Sequence, residues 1–163
     1  MTSKNKWFIL VKHFQREIMI LDLKKIRAKG KEEESFFFEY SPETQLLDMP
    51  NAELILPVKI SGEITITDRH SAYVEGEVAF TVKGECTRCL TETEREFVVN
   101  FAEQVDQENE NGYTVVNDRI DLTKIVDDAI IINAPVSFLC NDDCKGICAG
   151  CGANLNVSEC KCK

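Results

Sequence analysis

Eight cysteines are the residues of this chain whose type and spacing could do chemistry. Two of them form the pair Cys86-Thr-Arg-Cys89 in mid-chain, and the other six lie within the last 24 residues. These six are Cys140, Cys144, Cys148, Cys151, Cys160 and Cys162. Two cysteines with two residues between them can turn both sulfurs towards one tetrahedral zinc ion, at about 2.3 Å each. The sequence therefore predicts two structural zinc ions, each held by four sulfurs.

Disulfide bonds and thiol redox chemistry are the alternatives that the same cysteines allow. The apolar run Trp7 to Val11 is too short for the core of a secretion signal, so the thiols are expected to stay reduced. A redox Cys-x-x-Cys pair belongs at the amino terminus of a helix, whereas Cys86 follows a predicted strand. Structural zinc is thus preferred over disulfides, redox thiols and an iron–sulfur cluster.

Spacing allows the eight sulfurs to be divided between two sites in more than one way. The preferred division gives one site to the last four cysteines and the other to the mid-chain pair together with Cys140 and Cys144. The last four can close a site alone because the loop Gly152 to Glu159 is long enough to turn back. An alternative division places Cys144 and Cys148 in the same site, and spacing does not exclude it.

The composition is that of an ordinary soluble globular protein, with 44% hydrophobic and 29% charged residues in a chain of 163. No apolar run approaches the length of about 18 residues that crosses a membrane, and a cytoplasmic location is expected. The net charge of −9 disfavours general nucleic-acid binding, because phosphate affinity comes from basic residues. Basic residues beside the cysteines are expected to offset the charge of the zinc–thiolate units and are candidates for RNA contact. They are Arg88, Lys145, Lys161 and Lys163.

Strict alternation of apolar and polar residues predicts an antiparallel meander of three strands. The pattern runs from Pro57 to Thr67, continues from Val74 to Lys83 after a turn at Asp68 to Ser71, and returns at Phe97 to Phe101. The mid-chain cysteine pair occupies the second connection of this meander.

Helical spacing of apolar residues appears on the carboxyl side of the meander. Asp121 is predicted to cap a helix that starts at Leu122 and whose extent Pro135 limits. A weaker helical stretch begins near Asp22, and Phe36 to Tyr40 is a candidate strand. The predicted fold is therefore α+β, an antiparallel β-meander packed with one main helix and followed by a zinc-ribbon-like cysteine module.

Residues suited to catalysis are few. His70 lies in the predicted hairpin turn and His13 near the amino terminus, so neither is placed beside a nucleophile. Four sulfurs would fill each zinc coordination sphere and leave no open position for water. We therefore expect no enzymatic activity. The triplet Asn156-Val-Ser158 matches a glycosylation acceptor, which has no meaning without export.

The segment Gly84-Glu-Cys-Thr-Arg-Cys-Leu90 and the tail Cys140-Asn-Asp-Asp-Cys-Lys-Gly-Ile-Cys-Ala-Gly-Cys-Gly-Ala-Asn-Leu155 resemble the YceD family, the large ribosomal RNA subunit accumulation proteins. The resemblance covers roughly Met19 to Lys163. It implies a bacterial or organellar protein that is linked to accumulation of large-subunit ribosomal RNA and is commonly encoded next to a large-subunit ribosomal protein. Carried over by position, the family's cysteines fall on all eight cysteines of this chain. Relatives that keep only the mid-chain pair and the equivalents of Cys140 and Cys144 favour the preferred division.

Three segments and one function follow as expectations. Residues 1–18 are an amino-terminal extension that could be disordered and is dispensable, because the resembling family begins near Met19. Residues 19–139 form the sheet and helix domain, and residues 140–163 form a zinc-binding tail docked on it. The expected function is that of a non-enzymatic zinc-binding factor in large-subunit ribosomal RNA accumulation, whose partner is the RNA precursor or a ribosomal protein. The alternatives are a zinc-stabilised protein–protein adaptor and a thiol redox or metal-handling protein.

Overall fold

The computed structural model describes residues 19–42, 45–108 and 112–162. The predicted extension over residues 1–18 and the candidate RNA-binding residue Lys163 lie outside these described residues. Helices and antiparallel strands are both present, so the fold is α+β, as the sequence predicts. In chain order the elements are β1 (Ile20–Asp22), α1 (Leu23–Ala28), β2 (Glu33–Tyr40), β3 (Ala52–Asp68), β4 (Ser71–Glu85), β5 (Glu92–Val105), β6 (Val115–Val116), β7 (Arg119–Asp121) and α2 (Thr123–Asn133).

The main sheet has four strands in the order β2-β3-β4-β5, and all neighbours are antiparallel. It contains the predicted three-strand meander and adds β2, which includes the candidate strand Phe36 to Tyr40. The predicted turn between Asp68 and Ser71 joins β3 to β4. The mid-chain cysteine pair lies in the connection between β4 and β5, where the alternation pattern placed it.

One face of the main sheet forms the core. Successive side chains of a strand point to opposite faces, so this face carries every second residue of each strand. Val58, Ile60 and Ile64 on β3 are fully buried, and Val78 on β4 is paired with Ile60. The helix α2 packs its buried residues against β5 and β4 on this side. Those residues are Ile125, Val126, Ala129 and Ile130. The other face of the sheet is left to solvent.

A second sheet, in the order β1-β7-β6, was missed by the sequence analysis. Its strands have two or three residues each, which is too short for an alternation pattern. Helix α1 begins where the weaker helical stretch was predicted, and Asp22 caps it by accepting the Lys25 N–H at 3.0 Å. The Asp121 carboxylate accepts the N–H of Thr123, the first residue of α2, at 2.9 Å, so the predicted capping contact is present although Leu122 is the N-cap residue by backbone conformation.

Neither helix of the described residues is long and apolar enough to cross a membrane. The longer one, α2, has 11 residues.

Two glycines meet at the centre of the main sheet. Gly62 on β3 lies directly opposite Gly76 on β4, and the register places Phe36 of β2 and Phe101 of β5 on either side of them. A Cβ atom on Gly62 would collide with the carbonyl oxygen of Glu75 and stand 2.7 Å from the Phe36 ring. The glycines therefore let aromatic rings from the two edge strands cover the middle of the sheet, as aromatic residues do for glycines elsewhere in β-sheets.

Replacing Gly62 by alanine tests this arrangement. We expect Gly62→Ala to lower the free energy of unfolding by about 1–3 kcal/mol, because the added methyl group has to displace backbone and a packed ring. Urea denaturation measures the change. Ser61→Ala is the matched control on the solvent face of the same strand, and we expect it to change stability by less than about 0.5 kcal/mol. Equal effects of the two substitutions would contradict the packing of the two glycines against the rings of Phe36 and Phe101.

Candidate metal centres

The connection between β4 and β5 is a tight knuckle that brings two cysteines together. The Leu90 N–H donates to the Cys86 carbonyl at 2.9 Å, and the Cys86 N–H donates to the Thr91 carbonyl at 2.9 Å. Leu90 takes a left-handed backbone conformation with φ of 58°, which is uncommon for a residue with a branched side chain. The chain therefore reverses immediately after Cys89, and both sulfurs point away from the sheet's end towards the tail.

Two sulfurs of the mid-chain pair and two from the start of the tail meet at this knuckle. They form what we call the clasp cluster: Cys86, Cys89, Cys140 and Cys144. The Cys86 and Cys144 sulfurs are 3.7 Å apart, and the Cys89 and Cys140 sulfurs are 3.6 Å apart. All four ligand atoms lie within 4.8 Å of one another. Three of the four residues are buried and Cys140 is half-buried, so the cluster is part of the protein interior.

The remaining four sulfurs form the tail cluster: Cys148, Cys151, Cys160 and Cys162. The Cys148 sulfur lies 3.3 Å from that of Cys160 and 3.7 Å from that of Cys162. Gly152 follows Cys151 in a left-handed conformation with φ of 71°, and its N–H donates to the Cys148 carbonyl at 2.9 Å. Three of these cysteines are exposed, so the tail cluster sits at the surface.

These distances fit a tetrahedral metal ion and do not fit disulfides. Sulfurs bound at about 2.3 Å around a tetrahedral ion lie about 3.8 Å from one another. A disulfide needs about 2.05 Å between its sulfurs. Five sulfur–sulfur pairs within the two clusters lie 3.3–3.9 Å apart, and all eight cysteines are free. The grouping agrees with the preferred division of the cysteines, whereas their ligation of zinc stays a prediction.

The thiols of the clasp cluster have widely separated pKa values. Burial raises the pKa of Cys86, but the backbone N–H groups of Cys140, Cys89 and Arg88 outweigh it and lower that pKa to about 6. Burial and the neighbouring thiols raise the pKa of Cys140 to about 12. The Cys86 thiolate therefore forms easily in this cluster, whereas ionisation of Cys140 is opposed. A divalent cation would remove that opposition, because it favours the thiolate form of every ligand.

The tail cluster shows the same separation of pKa values. Backbone N–H groups of Cys151 and Gly150 lower the pKa of Cys148 to about 6. Hydrogen bonds with the thiols of Cys160 and Cys148 raise the pKa of Cys162 to about 11. Both clusters thus combine an easily ionised sulfur with one that needs a neighbouring positive charge.

The clasp holds the tail against the sheet through backbone contacts as well as sulfurs. The Thr87 N–H donates to the Phe138 carbonyl at 2.9 Å, and the Arg95 guanidinium donates to the Leu139 carbonyl at 3.2 Å. Arg95 also pairs with Asp142 at 3.1 Å. Phe138 is 1% exposed and belongs to the main core. The segment between α2 and the first tail cysteines is therefore held by hydrogen bonds to the knuckle on one side and to β5 on the other.

The basic residues proposed for RNA contact have different surroundings. The Arg88 guanidinium donates to the carbonyl of Cys144 at 3.2 Å, which ties the knuckle to the tail. Lys145 and Lys161 are exposed, and neither side chain forms a salt bridge within the described residues. The structure therefore gives Arg88 a bracing contact, whereas Lys145 and Lys161 present their charge to solvent.

Two asparagines that sequence reasoning did not assign connect the clusters. The side-chain oxygen Oδ1 of Asn156 accepts the backbone N–H of Lys145 at 2.8 Å. The side-chain nitrogen Nδ2 of Asn156 donates to the Cys144 sulfur at 3.4 Å. The Asn154 amide donates to the Thr91 hydroxyl of the knuckle at 3.3 Å. Asn156 was noted only as part of a glycosylation triplet. Its position in the loop between the third and fourth pairs of cysteines is a signal that could have pointed to this bridging role.

The fold and the candidate sites define the class of this protein. It is an antiparallel β-sheet protein in which one end of the sheet contacts a tail with two successive four-cysteine clusters. Residues 74–163 match the family described as large ribosomal RNA subunit accumulation protein YceD. Because this match covers more than half of the chain, the protein belongs to the YceD family.

Relatives in other organisms are similar over parts of the chain. An uncharacterized protein of Mycobacterium tuberculosis is 35% identical over a match that covers 50% of this chain and 44% of the relative. A chloroplast protein of Arabidopsis thaliana named large ribosomal RNA subunit accumulation protein YCED homolog 1 is 25% identical over 65% of this chain and 44% of its own length. YlbN of Bacillus subtilis is 26% identical over 68% of both chains. The match thus spans less than half of the mycobacterial relative, and no solved structure is significantly similar.

Replacing Asn156 by alanine tests the link between the two clusters. We expect Asn156→Ala to speed hydrogen exchange of the Lys145 amide by about fivefold to tenfold, because a hydrogen bond of this kind contributes about 1 kcal/mol. Exchange followed by NMR measures it. Val157→Ala is the control, since the neighbouring Val157 side chain is 84% exposed and should leave the Lys145 amide unchanged. An unaltered exchange rate in Asn156→Ala would show that the asparagine does not hold the tail.

Proposed function

We propose that this protein is a non-catalytic, zinc-stabilised binding factor in the accumulation of large-subunit ribosomal RNA. The observation that supports zinc is the convergence of eight free thiols into two sets of four at tetrahedral spacing. The family supports the role, since its description and the name of the Arabidopsis relative both state large ribosomal RNA subunit accumulation.

The proposed zinc sites are structural because each has four sulfur ligands. A closed set of four sulfurs leaves no position for water or substrate, which separates structural from catalytic zinc. Bound zinc would supply the positive charge that lets all four thiols of a cluster ionise. In this proposal residues 140–163 are a zinc-ribbon-like module docked on the domain of residues 19–139, with Cys140 and Cys144 as the shared border.

The clasp site and the tail site would have different effects on stability. The clasp joins two parts of the chain that are about 50 residues apart, Cys89 and Cys140 being separated by 51 positions. Closing a loop of that length removes much conformational entropy from the unfolded chain. The tail site closes a loop within Cys148 to Cys162 and holds only the last turn of the chain.

Cysteine substitutions test the two sites separately. We expect the intact protein to carry two zinc ions, Cys151→Ser to carry one with its sheet unchanged, and Cys86→Ser to show the larger fall in the thermal midpoint because it opens the clasp. Elemental analysis and circular dichroism of each variant measure this, with Val157→Ala as the control that keeps both ions. One ion or none in the intact protein, or iron with a visible chromophore, would contradict the proposal.

A direct contact with RNA is proposed for the exposed lysines of the module. Lys145 and Lys161 stand beside the clusters and are exposed, although Asp142, Asp143 and Glu159 are exposed in the same module. Arg88 is less suited to this contact because its guanidinium already binds the Cys144 carbonyl. Each lysine that meets a phosphate should add to the salt dependence of binding.

The salt dependence of RNA binding tests that contact. We expect the pair Lys145→Ala and Lys161→Ala to reduce the slope of log affinity against log salt by about one to two for a large-subunit ribosomal RNA transcript. The control pair Lys24→Ala and Lys31→Ala removes two exposed lysines far from the clusters and should leave the slope unchanged. Zinc content is measured alongside. An equal slope in both pairs, with zinc retained, would exclude the tail lysines and favour the protein–protein adaptor.

A further inference from the structure

The solvent face of the main sheet is unusual in its charge. Where all four strands pair, the outward-facing residues lie in rows that cross the sheet from β2 to β5, and none of them is buried. Their charged members are Glu33, Glu39, Glu63, Glu75, Glu77 and Lys59. We call this surface the outer sheet face. It is strongly acidic although it belongs to the middle of a sheet, where opposite charges on neighbouring strands would be stabilising.

Repulsion is built into the centre of this face. The register places Glu63 on β3 directly opposite Glu75 on β4, and Glu77 lies in the next row. Like charges directly opposite each other destabilise a strand pair. Glu77 accepts a hydrogen bond from Ser61 at 3.3 Å, and none of the three glutamates forms a salt bridge within the part of the chain that the structure describes. The free protein therefore bears an electrostatic cost that a positively charged partner would relieve.

The same region is concave and has an apolar border. A shallow depression of about 530 Å³ lies over the glycine pair and is lined by the three glutamates, Asn100 and Ala102. Phe37 in the row of Glu77 is 61% exposed, and Val98 on β5 is 56% exposed. Carboxylates around a depression with aromatic and aliphatic side chains at its border fit lysine and arginine, whose long apolar stems lie along such surfaces while their charged ends reach acidic groups.

Two other classes of ligand fit this face poorly. RNA would meet a row of carboxylates with its phosphates, and the repulsion opposes binding. A divalent cation needs carboxylate oxygens that converge, whereas within the described residues the groups that converge within 4.8 Å are the two cysteine clusters.

We propose that the outer sheet face binds a lysine- and arginine-rich segment of another protein. The glutamates supply charge complementarity, the depression accepts a side chain, and Phe37 offers an apolar contact. This binding is separate from the cysteine clusters and does not require the proposed function. It suits a partner that itself binds RNA, because segments that neutralise phosphates are rich in lysine and arginine.

Charge-neutralising variants with a matched control test the proposal. The binding of a fluorescein-labelled peptide of alternating lysine and serine is measured by anisotropy at fixed ionic strength for the intact protein and two triple variants. One carries Glu63→Gln, Glu75→Gln and Glu77→Gln on the outer sheet face. The control carries Glu32→Gln, Asp48→Asn and Glu108→Gln, which remove the same charge from scattered exposed positions.

The two variants should differ in binding and in stability. We expect the outer-face variant to weaken peptide binding by about tenfold or more and the control by about twofold or less. The outer-face variant should also have a higher thermal midpoint, because the opposed glutamates no longer repel each other, so loss of binding cannot be due to unfolding. Equal weakening by both variants would overturn the proposal, since binding would then reflect the overall acidity of the chain. Binding of a fluorescein-labelled RNA oligonucleotide, with no peptide present, that the outer-face variant weakens and the control does not would overturn it as well.

Discussion

Four sulfurs from distant parts of the chain converge at the end of β4, and this convergence, together with hydrogen bonds from Thr87, Arg88 and Arg95, holds the described tail against the sheet. The mid-chain knuckle can hold its two cysteines close together through local hydrogen bonds alone. The tail cannot, because residues from Pro135 onwards form no helix and join no named strand in the described chain. The pKa of about 6 for Cys86 beside the pKa of about 12 for Cys140 is the electrostatic side of the same constraint, since burial and the neighbouring thiols oppose ionisation of Cys140.

The two clusters differ in what surrounds them, and the difference assigns them different roles. The clasp cluster is buried and is braced by Arg88, Arg95 and Thr87, so it belongs to the folded domain. The tail cluster is exposed and reaches the knuckle through the asparagine bridge. The protein therefore presents two surfaces of different composition. One is the cysteine module, where the exposed Lys145 and Lys161 lie among carboxylates, and the other is the acidic face of the sheet, which suits a partner of the opposite charge.

Much of this arrangement could be predicted from the sequence, and the failures have physical causes. Alternation located β3 and β4 because one face of each strand is buried. The preferred division of the cysteines agrees with the two sulfur clusters, although spacing alone also allowed Cys144 and Cys148 to share a site. The small sheet of β1, β6 and β7 was missed because its strands are too short to show a period, whereas the capping contact of Asp121 at the start of α2 was predicted correctly. The position of Asn156 between cysteine pairs was a signal in the sequence, but its bonds to Lys145 and Cys144 arise only when the tail folds back.

X-ray absorption at the zinc edge of the metal-loaded protein tests the central claim most directly. If each cluster holds one structural zinc, the average first shell consists of four sulfurs at about 2.3 Å, with no lighter ligand. The same shell should persist in Cys151→Ser at the remaining clasp site, since that cluster has its own four sulfurs. A first shell that contains nitrogen or oxygen in the intact protein would contradict the account, because it would mean that the eight cysteines do not form two closed sites.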